Sequence, residues 1–404
     1  MTGKAVVAPG VVLKNALKVL TRPWMLARLA RLEADKVFFD WLRRNPADGR
    51  AAGIRQLSVR ITDRCNLRCH TCGQWGDKGF LHGESLRELT ARELPPERYI
   101  ALLDDLVAHG HRPTVYLWGG EPMLYRGSLD ILEHATRLRM PAMIATNGTG
   151  LEASAARITA MPMLLLQVSV DGHDAATHNA ARPAAGKGDN FRAVRDGLAA
   201  VNAEKTRRKS KLPLTAALTT VSTANAQHLL DIFEAFKDSV DLFVFYLSWW
   251  IDEASAESHD ADFSRRFGFT PKLHRGWIGD WVNKDAKVLA EQLRELERRS
   301  AGPAAPAVNI LPRLTSADDL REYYGNHAAT FGFDRCISIF RAVELDSDGD
   351  MSPCRDYHDY VVGNVREATV TELWNNAKYR AFRASLSKDG LMPVCTRCCG
   401  LMGY

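Results

Sequence analysis

The stretch Ser58-Val-Arg-Ile-Thr-Asp-Arg-Cys65-Asn-Leu-Arg-Cys69-His-Thr-Cys72 reads as a short strand running into a loop that carries three thiols. Cys65, Cys69 and Cys72 are spaced C-x3-C-x2-C. Three thiolates so close together can hold three irons of a cubane cluster, which leaves the fourth iron without a ligand from this loop. A structural metal site closes its coordination, whereas a reactive one keeps a position free. The same thiols could instead bind zinc with a fourth ligand such as His70 or His82. Zinc loops, however, usually pair C-x2-C with a second such pair.

Working outward, the 404 residues are 46% hydrophobic and 25% charged, an ordinary globular composition. No apolar run reaches the length of a membrane span. The start, Met1-Thr-Gly-Lys-Ala-Val-Val-Ala-Pro-Gly, lacks the pattern of a signal peptide. The expected location is therefore the cytoplasm. The eight cysteines fall at 65, 69 and 72 and at 336, 354, 395, 398 and 399. In a reducing compartment such clusters point to metal or catalysis rather than disulfides.

Residues 1–60 hold twelve Lys or Arg against four Asp or Glu, a larger surplus than the net +5 of the whole chain. No basic run with interleaved aromatics marks a nucleic-acid face, so no nucleic-acid partner is expected. Residues 11–44 show helical periodicity, interrupted by Pro23. Lys14, Lys18, Arg22, Arg28, Arg31, Arg43 and Arg44 form a basic face. Such helices either pack on the protein with a solvated charged side or touch an anionic membrane peripherally.

From residue 55 strands and helices alternate. Strands are predicted at 56–62, 114–118, 142–146, 164–170, 214–220 and 242–247. Helices are predicted at 96–108, 128–139, 152–160, 190–203 and 226–237. Apolar strands alternating with helices imply a parallel sheet buried on both faces. Six units suit a partial (β/α)6 TIM-like barrel, an α/β fold, with its site at the C-terminal strand ends. The domain plan is 1–50 N-terminal basic helices, 51–248 partial barrel, 249–307 bridging helical segment, and 308–404 a small C-terminal α+β region. The bridge contains Trp249, Trp250, Trp277 and Trp281, divided between pocket and core.

The cysteine loop resembles the cluster loop of the radical S-adenosylmethionine (SAM) superfamily. Trp118-Gly119-Gly120-Glu121-Pro122 resembles that family's GGEP segment, and the resemblance implies that Gly119, Gly120, Glu121 and Pro122 bind the SAM amino group. Glycine allows close backbone approach. Asn147, Ser169 and Asp171 end the third and fourth strands, where the family places further SAM contacts. Arg182 is a weaker candidate for the SAM carboxylate, a surface arginine being the default. The family usually carries an aromatic residue where Thr71 stands, and Trp75 is the candidate substitute for adenine packing.

Cys336, Cys354, Cys395 and Cys398 resemble a SPASM/twitch auxiliary-cluster region. The resemblance implies one auxiliary [4Fe–4S] cluster closed by four cysteines, with Cys399 a spare thiol, an alternative ligand or a reactive group. A zinc ribbon is the alternative for these four. The implied activity is an oxidoreductase-type reaction: reductive cleavage of SAM to a 5′-deoxyadenosyl radical, hydrogen abstraction, and oxidation or cross-linking of a peptide or small-molecule substrate. An external one-electron reductant such as flavodoxin or ferredoxin is the implied partner. A lipid or membrane-associated substrate, and a non-catalytic iron–sulfur or zinc protein, remain the alternatives.

Overall fold

The computed structural model describes residues 14, 15, 18, 19, 22–42, 46–279, 285–355, 358–398, 400 and 401; for 32, 33 and 35–42 it describes the backbone alone. Cys399, Trp281, Arg43, Arg44 and the apolar residues at 12, 13, 17 and 20 lie outside the described residues.

The elements run α1 (Pro23–Leu42), β1 (Gln56–Thr62), α2 (Leu86–Arg92), α3 (Pro96–Ala108), β2 (Thr114–Gly119), α4 (Ser128–Arg137), β3 (Ala142–Thr146), α5 (Leu151–Ala160) and β4 (Leu165–Ser169). They continue with α6 (Ala175–Ala181), α7 (Asn190–Arg207), β5 (Leu214–Val221), α8 (Leu229–Phe236), β6 (Leu242–Leu247), α9 (Glu253–Phe267), α10 (Ala286–Arg299) and β7 (Ala307–Leu311). The rest is α11 (Ala317–Gly325), β8 (Ala342–Leu345), β9 (Asp350–Ser352), β10 (Gly363–Asn364), α12 (Val370–Trp374) and α13 (Ala377–Asp389). The starts have local causes. Pro95 is extended and Pro96 opens α3, where a missing N–H costs nothing. Asp252 caps α9 by accepting from Ser255 N, and Gly268 ends it at φ +83°.

One sheet carries all ten strands in the order β10-β9-β8-β1-β2-β3-β4-β5-β6-β7. Neighbours from β8 through β7 are parallel, and β9 and β10 return antiparallel. The two ends of the sheet do not pair, so the barrel is partial. The expected six strands are present, and two further parallel strands extend them. β7 pairs with β6, and β8 pairs with the other edge of β1. The predicted boundary at 308 therefore falls inside a strand of the barrel sheet. Ala307–Leu311 is a five-residue buried run after a Gly/Pro linker, and so short an apolar run has no periodicity to declare it.

Alternation sorts the strands between two cores. On β6, Phe243 and Phe245 pack with the outer helices. Leu242 and Val244 face the inside, with Leu214, Ala216 and Leu311. Val19 and Met25 of the N-terminal segment fill that inner floor, at 1% and 0% exposure. Burial of each contributes about 1.5–3 kcal/mol. Lys18 pairs with Asp241 at 2.7 Å, and Lys14 donates to the carbonyl oxygens of Ser300 and Gly302. Two cations of the predicted basic face thus turn toward the barrel. Among the described residues no helix is long and apolar enough to cross a membrane.

Candidate functional site

The three thiols of the opening stretch sit on the loop after β1, at the C-terminal edge of the sheet. All three residues are partly buried. Leu67 N donates to Cys65 Sγ and Trp75 N to Cys72 Sγ, each at 3.4 Å, and Arg182 Nη1 reaches Cys69 Sγ at 3.7 Å. Burial pushes the Cys65 thiol up to about 11 and the Cys69 thiol up to about 12. Without a metal these sulfurs hold their protons at neutral pH, and a bound cation is what would ionise them.

The chain around the loop is tied down from three sides. Gly120 N donates to Thr62 O and Glu121 N to Arg64 O, at 2.8 and 2.7 Å. A Cβ on Gly120 would lie 2.1 Å from Arg64 O, and one on Gly119, at φ +138°, 2.4 Å from Thr62 O. These glycines let the end of β2 lie against the approach to the thiols. Their close approach is to protein backbone, where the sequence reading expected a ligand.

Glu121 is 1% exposed. It accepts from Thr146 Oγ1 (2.7 Å), Asn147 N (2.6 Å) and Met123 N (2.9 Å). Its carboxylate braces the end of β3. Burial still pushes its protonation upward. Pro122 follows it, buried, and opens a single 3-10 turn. Asn147 Nδ2 donates to Asn66 Oδ1 at 2.8 Å, so the third strand end also holds the cysteine loop.

The third tie is a buried charge network. Arg60, on β1, pairs with Asp63 (2.8 Å) and with Asp346 (2.7 Å), and His358 Nδ1 lies 2.9 Å from Asp346 Oδ1. Against the upward push of burial, Arg60 and His358 hold the Asp346 carboxyl well below the usual carboxylate range. Ser347 Oγ donates to Asp63 Oδ2 at 2.9 Å. The C-terminal region is thereby joined to the chain that enters the loop.

Two readings are corrected. Trp75 is 4% exposed, donates Nε1 to Asp63 O at 2.6 Å, and packs with Leu81 and Leu89 under Cys65 and Cys72. It cannot stack on a ligand as the substitute aromatic. Arg182 is no surface arginine: its side chain is 13% exposed and Nε donates to Asp171 Oδ2 at 2.6 Å. Asp171 Oδ1 accepts from Thr220 N at 2.8 Å. Asp171 is thus committed to fixing Arg182.

Ser169, Arg182, Gln74, Tyr116, Trp118, Leu218, Thr220, Tyr246, Trp249, Trp277 and Arg355 line a cavity of about 240 Å³. Trp249 and Trp277 meet edge to face, with centroids 5.4 Å apart. Trp277 also covers Gly73, where a Cβ would lie 2.5 Å from the ring. Trp250 belongs to the core, at 7% exposure. Arg355 lies over the rings of Tyr116 and Trp118 and pairs loosely with Glu344 at 3.4 Å. Sequence reading missed Arg355, although its position next to Cys354 was the available signal.

Cys336, Cys354, Cys395 and Cys398 converge on a closed apolar space of about 30 Å³, with Phe263, Ile339, Phe382, Leu386, Met392 and Leu401. Burial pushes the Cys395 thiol up strongly. Gly400 N donates to Cys398 Sγ at 3.2 Å. Among the described residues, the one group of three metal-capable side chains with ligand atoms all within 4.8 Å is His173, His228 and Asp231.

Comparison with known proteins agrees with this arrangement. The description "Radical SAM superfamily" matches residues 59–238, and "Iron-sulfur cluster-binding domain" (SPASM) matches residues 336–399. The chain is similar to an AdoMet-dependent heme synthase of Methanosarcina barkeri, 26% identical over 352 residues, covering 84% of this chain and 88% of that one. It is similar to a pre-heme d1 synthase of Dinoroseobacter shibae, 27% identical over 327 residues, covering 78% and 71%. Among solved structures it resembles Streptococcus suis SuiB bound to precursor peptide SuiA, with TM-score 0.55, 13% identity and coverage of 83% and 68%. It also resembles native anSMEcpe with bound AdoMet, with TM-score 0.54, 17% identity and coverage of 81% and 83%. At those identities the structural likeness is one of fold.

Proposed function

The chain belongs to the radical SAM superfamily and carries a SPASM iron–sulfur region, and from that premise we propose that it oxidises a small organic substrate held between its two thiol sets. The observation that carries this reading is the aromatic cavity. One wall is Arg182, whose guanidinium touches Cys69; another is Arg355, the neighbour of Cys354 in the chain. A cavity of about 240 Å³ takes the reacting portion of a substrate. Two relatives that align along most of the chain are named as synthases of heme and pre-heme d1, both small molecules.

In this reading Cys65, Cys69 and Cys72 hold a [4Fe–4S] cluster, and Cys336, Cys354, Cys395 and Cys398 hold one auxiliary [4Fe–4S] cluster. When bound, the first cluster with SAM supplies a 5′-deoxyadenosyl radical, and the second supplies an electron acceptor. The protein's own part is positioning. Ser169 and Arg182 line the SAM side, with Asp171 fixing Arg182 and with Glu121 and Asn147 bracing the end of β3 and the cysteine loop. Trp249 and Trp277 exclude water from the cavity. Loss of one hydrogen atom, one electron and one proton from the substrate is a two-electron oxidation. A one-electron reductant such as flavodoxin or ferredoxin is the partner, and the cytoplasm is the compartment that keeps seven such thiols reduced.

The test is anaerobic reconstitution with dithionite and SAM. We expect about eight irons per chain and release of 5′-deoxyadenosine. Cys354→Ala/Cys395→Ala should hold about four irons and still release 5′-deoxyadenosine. Replacement of Cys65, Cys69 and Cys72 by alanine should abolish release. Cluster-loaded protein that released none would overturn the proposal.

A further inference from the structure

The end of the barrel opposite the thiols has a feature that SAM chemistry does not use. A cavity of about 310 Å³ is lined by Arg28 and Arg31 of α1, by residues 52–55 just before β1, by Gly110, His111 and Arg112 just before β2, and by Thr114 at its start. Four arginines and a histidine thus converge from three separate segments. Among the described residues that line it there is no carboxylate. Helix α3 points its carbonyl end this way, but that end is already satisfied: Gly110 N donates to Val107 O and His111 N to Leu106 O. Arg112 is oriented by donating Nε to Leu138 O at 3.2 Å. Gly53 gives Arg55 room to fold back, since a Cβ there would lie 2.7 Å from Nη1.

A solvated basic patch is the ordinary reading of several arginines on a surface. Concavity argues against it here. Arg28 is partly buried, and burial together with Arg112, Arg31 and Arg55 lowers its hold on its proton. His111 is pushed down by burial and by Arg55 and His109. Arg112 and Arg31 repel Arg28 around this half-enclosed space, and a bound anion would offset that repulsion. The guanidinium fork matches phosphate oxygens two at a time.

We propose that this cavity binds a phosphate-class polyanion, either a soluble diphosphate or a phosphate-bearing lipid headgroup, through Arg28, Arg31 and Arg112. Its place at the amino-terminal strand ends leaves the thiol face free, so occupancy and catalysis are compatible. A headgroup there would seat the barrel on a membrane with its catalytic edge turned away. The proposal is independent of the reaction assigned above.

The experiment uses the full, cluster-loaded chain at matched ionic strength. Inorganic diphosphate is titrated by calorimetry. Vesicles of phosphatidylcholine, with and without phosphatidic acid, are tested by flotation. Binding of diphosphate identifies a soluble ligand, and binding only to phosphatidic acid vesicles identifies a headgroup. In either case Arg28→Gln/Arg31→Gln should weaken binding roughly tenfold or more, and Arg28→Lys/Arg31→Lys, which keeps the charge but loses the two-pronged grip, should weaken it less. Arg112→Gln, on a different segment, should weaken it too, with iron content and 5′-deoxyadenosine release unchanged. No binding to either probe, or equal binding by the glutamine variants, would overturn the proposal.

Discussion

Arg182 Nε donates to Asp171 Oδ2 at 2.6 Å, with side chains 13% and 4% exposed. The same guanidinium reaches Cys69 Sγ at 3.7 Å. One carboxylate at the end of β4 therefore sets the position of the cation beside the thiols. Residues that orient a ligand-holding group typically matter 10- to 100-fold without touching the chemistry.

Asp171→Asn keeps an oxygen for Thr220 N but removes the charge that anchors Arg182. The expected outcome is full iron content with 5′-deoxyadenosine release slowed about 10- to 100-fold. Breaking a buried pair also costs about 3–5 kcal/mol of stability. Rate and melting temperature are measured together, and a wild-type rate would refute the positioning role.

Gly120→Ala places a methyl group 2.1 Å from Arg64 O, which is backbone and cannot step aside. The approach to Cys65 must move. We expect loss of the iron held by the first thiol set while the second set keeps its own, read as roughly half the iron per chain. Full iron retention would show that the loop tolerates the shift.

Met25→Ala tests the floor of the barrel. Met25 is 0% exposed among Leu214, Ala216 and Val244. Deleting such a side chain costs about 2–5 kcal/mol. Urea unfolding should show that loss with SAM cleavage unchanged at 20 °C or below, taken as roughly the temperature of greatest stability. An unaltered urea midpoint would mean that the N-terminal segment is not docked.

His259 carries an acid-sensitive part of the stability. It is fully buried, packed against the His274 ring at 4.7 Å and the Phe263 ring at 5.4 Å. Asp260, Asp262 and Arg266 are the charged groups around it. Burial, helped by His274, depresses it from 6.5 to about 3. The folded state therefore keeps His259 neutral where the unfolded state takes up a proton. That stabilisation is complete above pH 6.5 and is lost as pH falls toward about 3. Urea midpoints from pH 7 to pH 4.5 should fall more steeply for the wild type than for His259→Gln. Parallel slopes would sink the assignment.

Much of the barrel was legible because its signals are local. The strands at 56–62, 142–146 and 242–247 and the helix at 96–108 were readable from apolar runs and from Pro and Gly at their ends. The helices α2 and α6 were not read: each has seven residues, too short to establish a period. Glu121 misled for a related reason. A carboxylate beside two glycines looks like a ligand group until Thr146 and Asn147, which are neighbours only across the sheet, turn out to occupy it.

The C-x3-C-x2-C spacing by itself determined that three thiols gather into one candidate metal-binding loop, because ligand spacing within eight residues is a short-range property of the chain. The apolar runs and their Pro and Gly boundaries determined that strands and helices alternate. Only the tertiary structure decided which groups surround the thiols. Arg182 comes to Cys69 from 113 residues away, Arg355 meets Tyr116 and Trp118 across the sheet, and Trp75 disappears into the core. Such contacts depend on sheet order and burial, and a linear pattern carries neither.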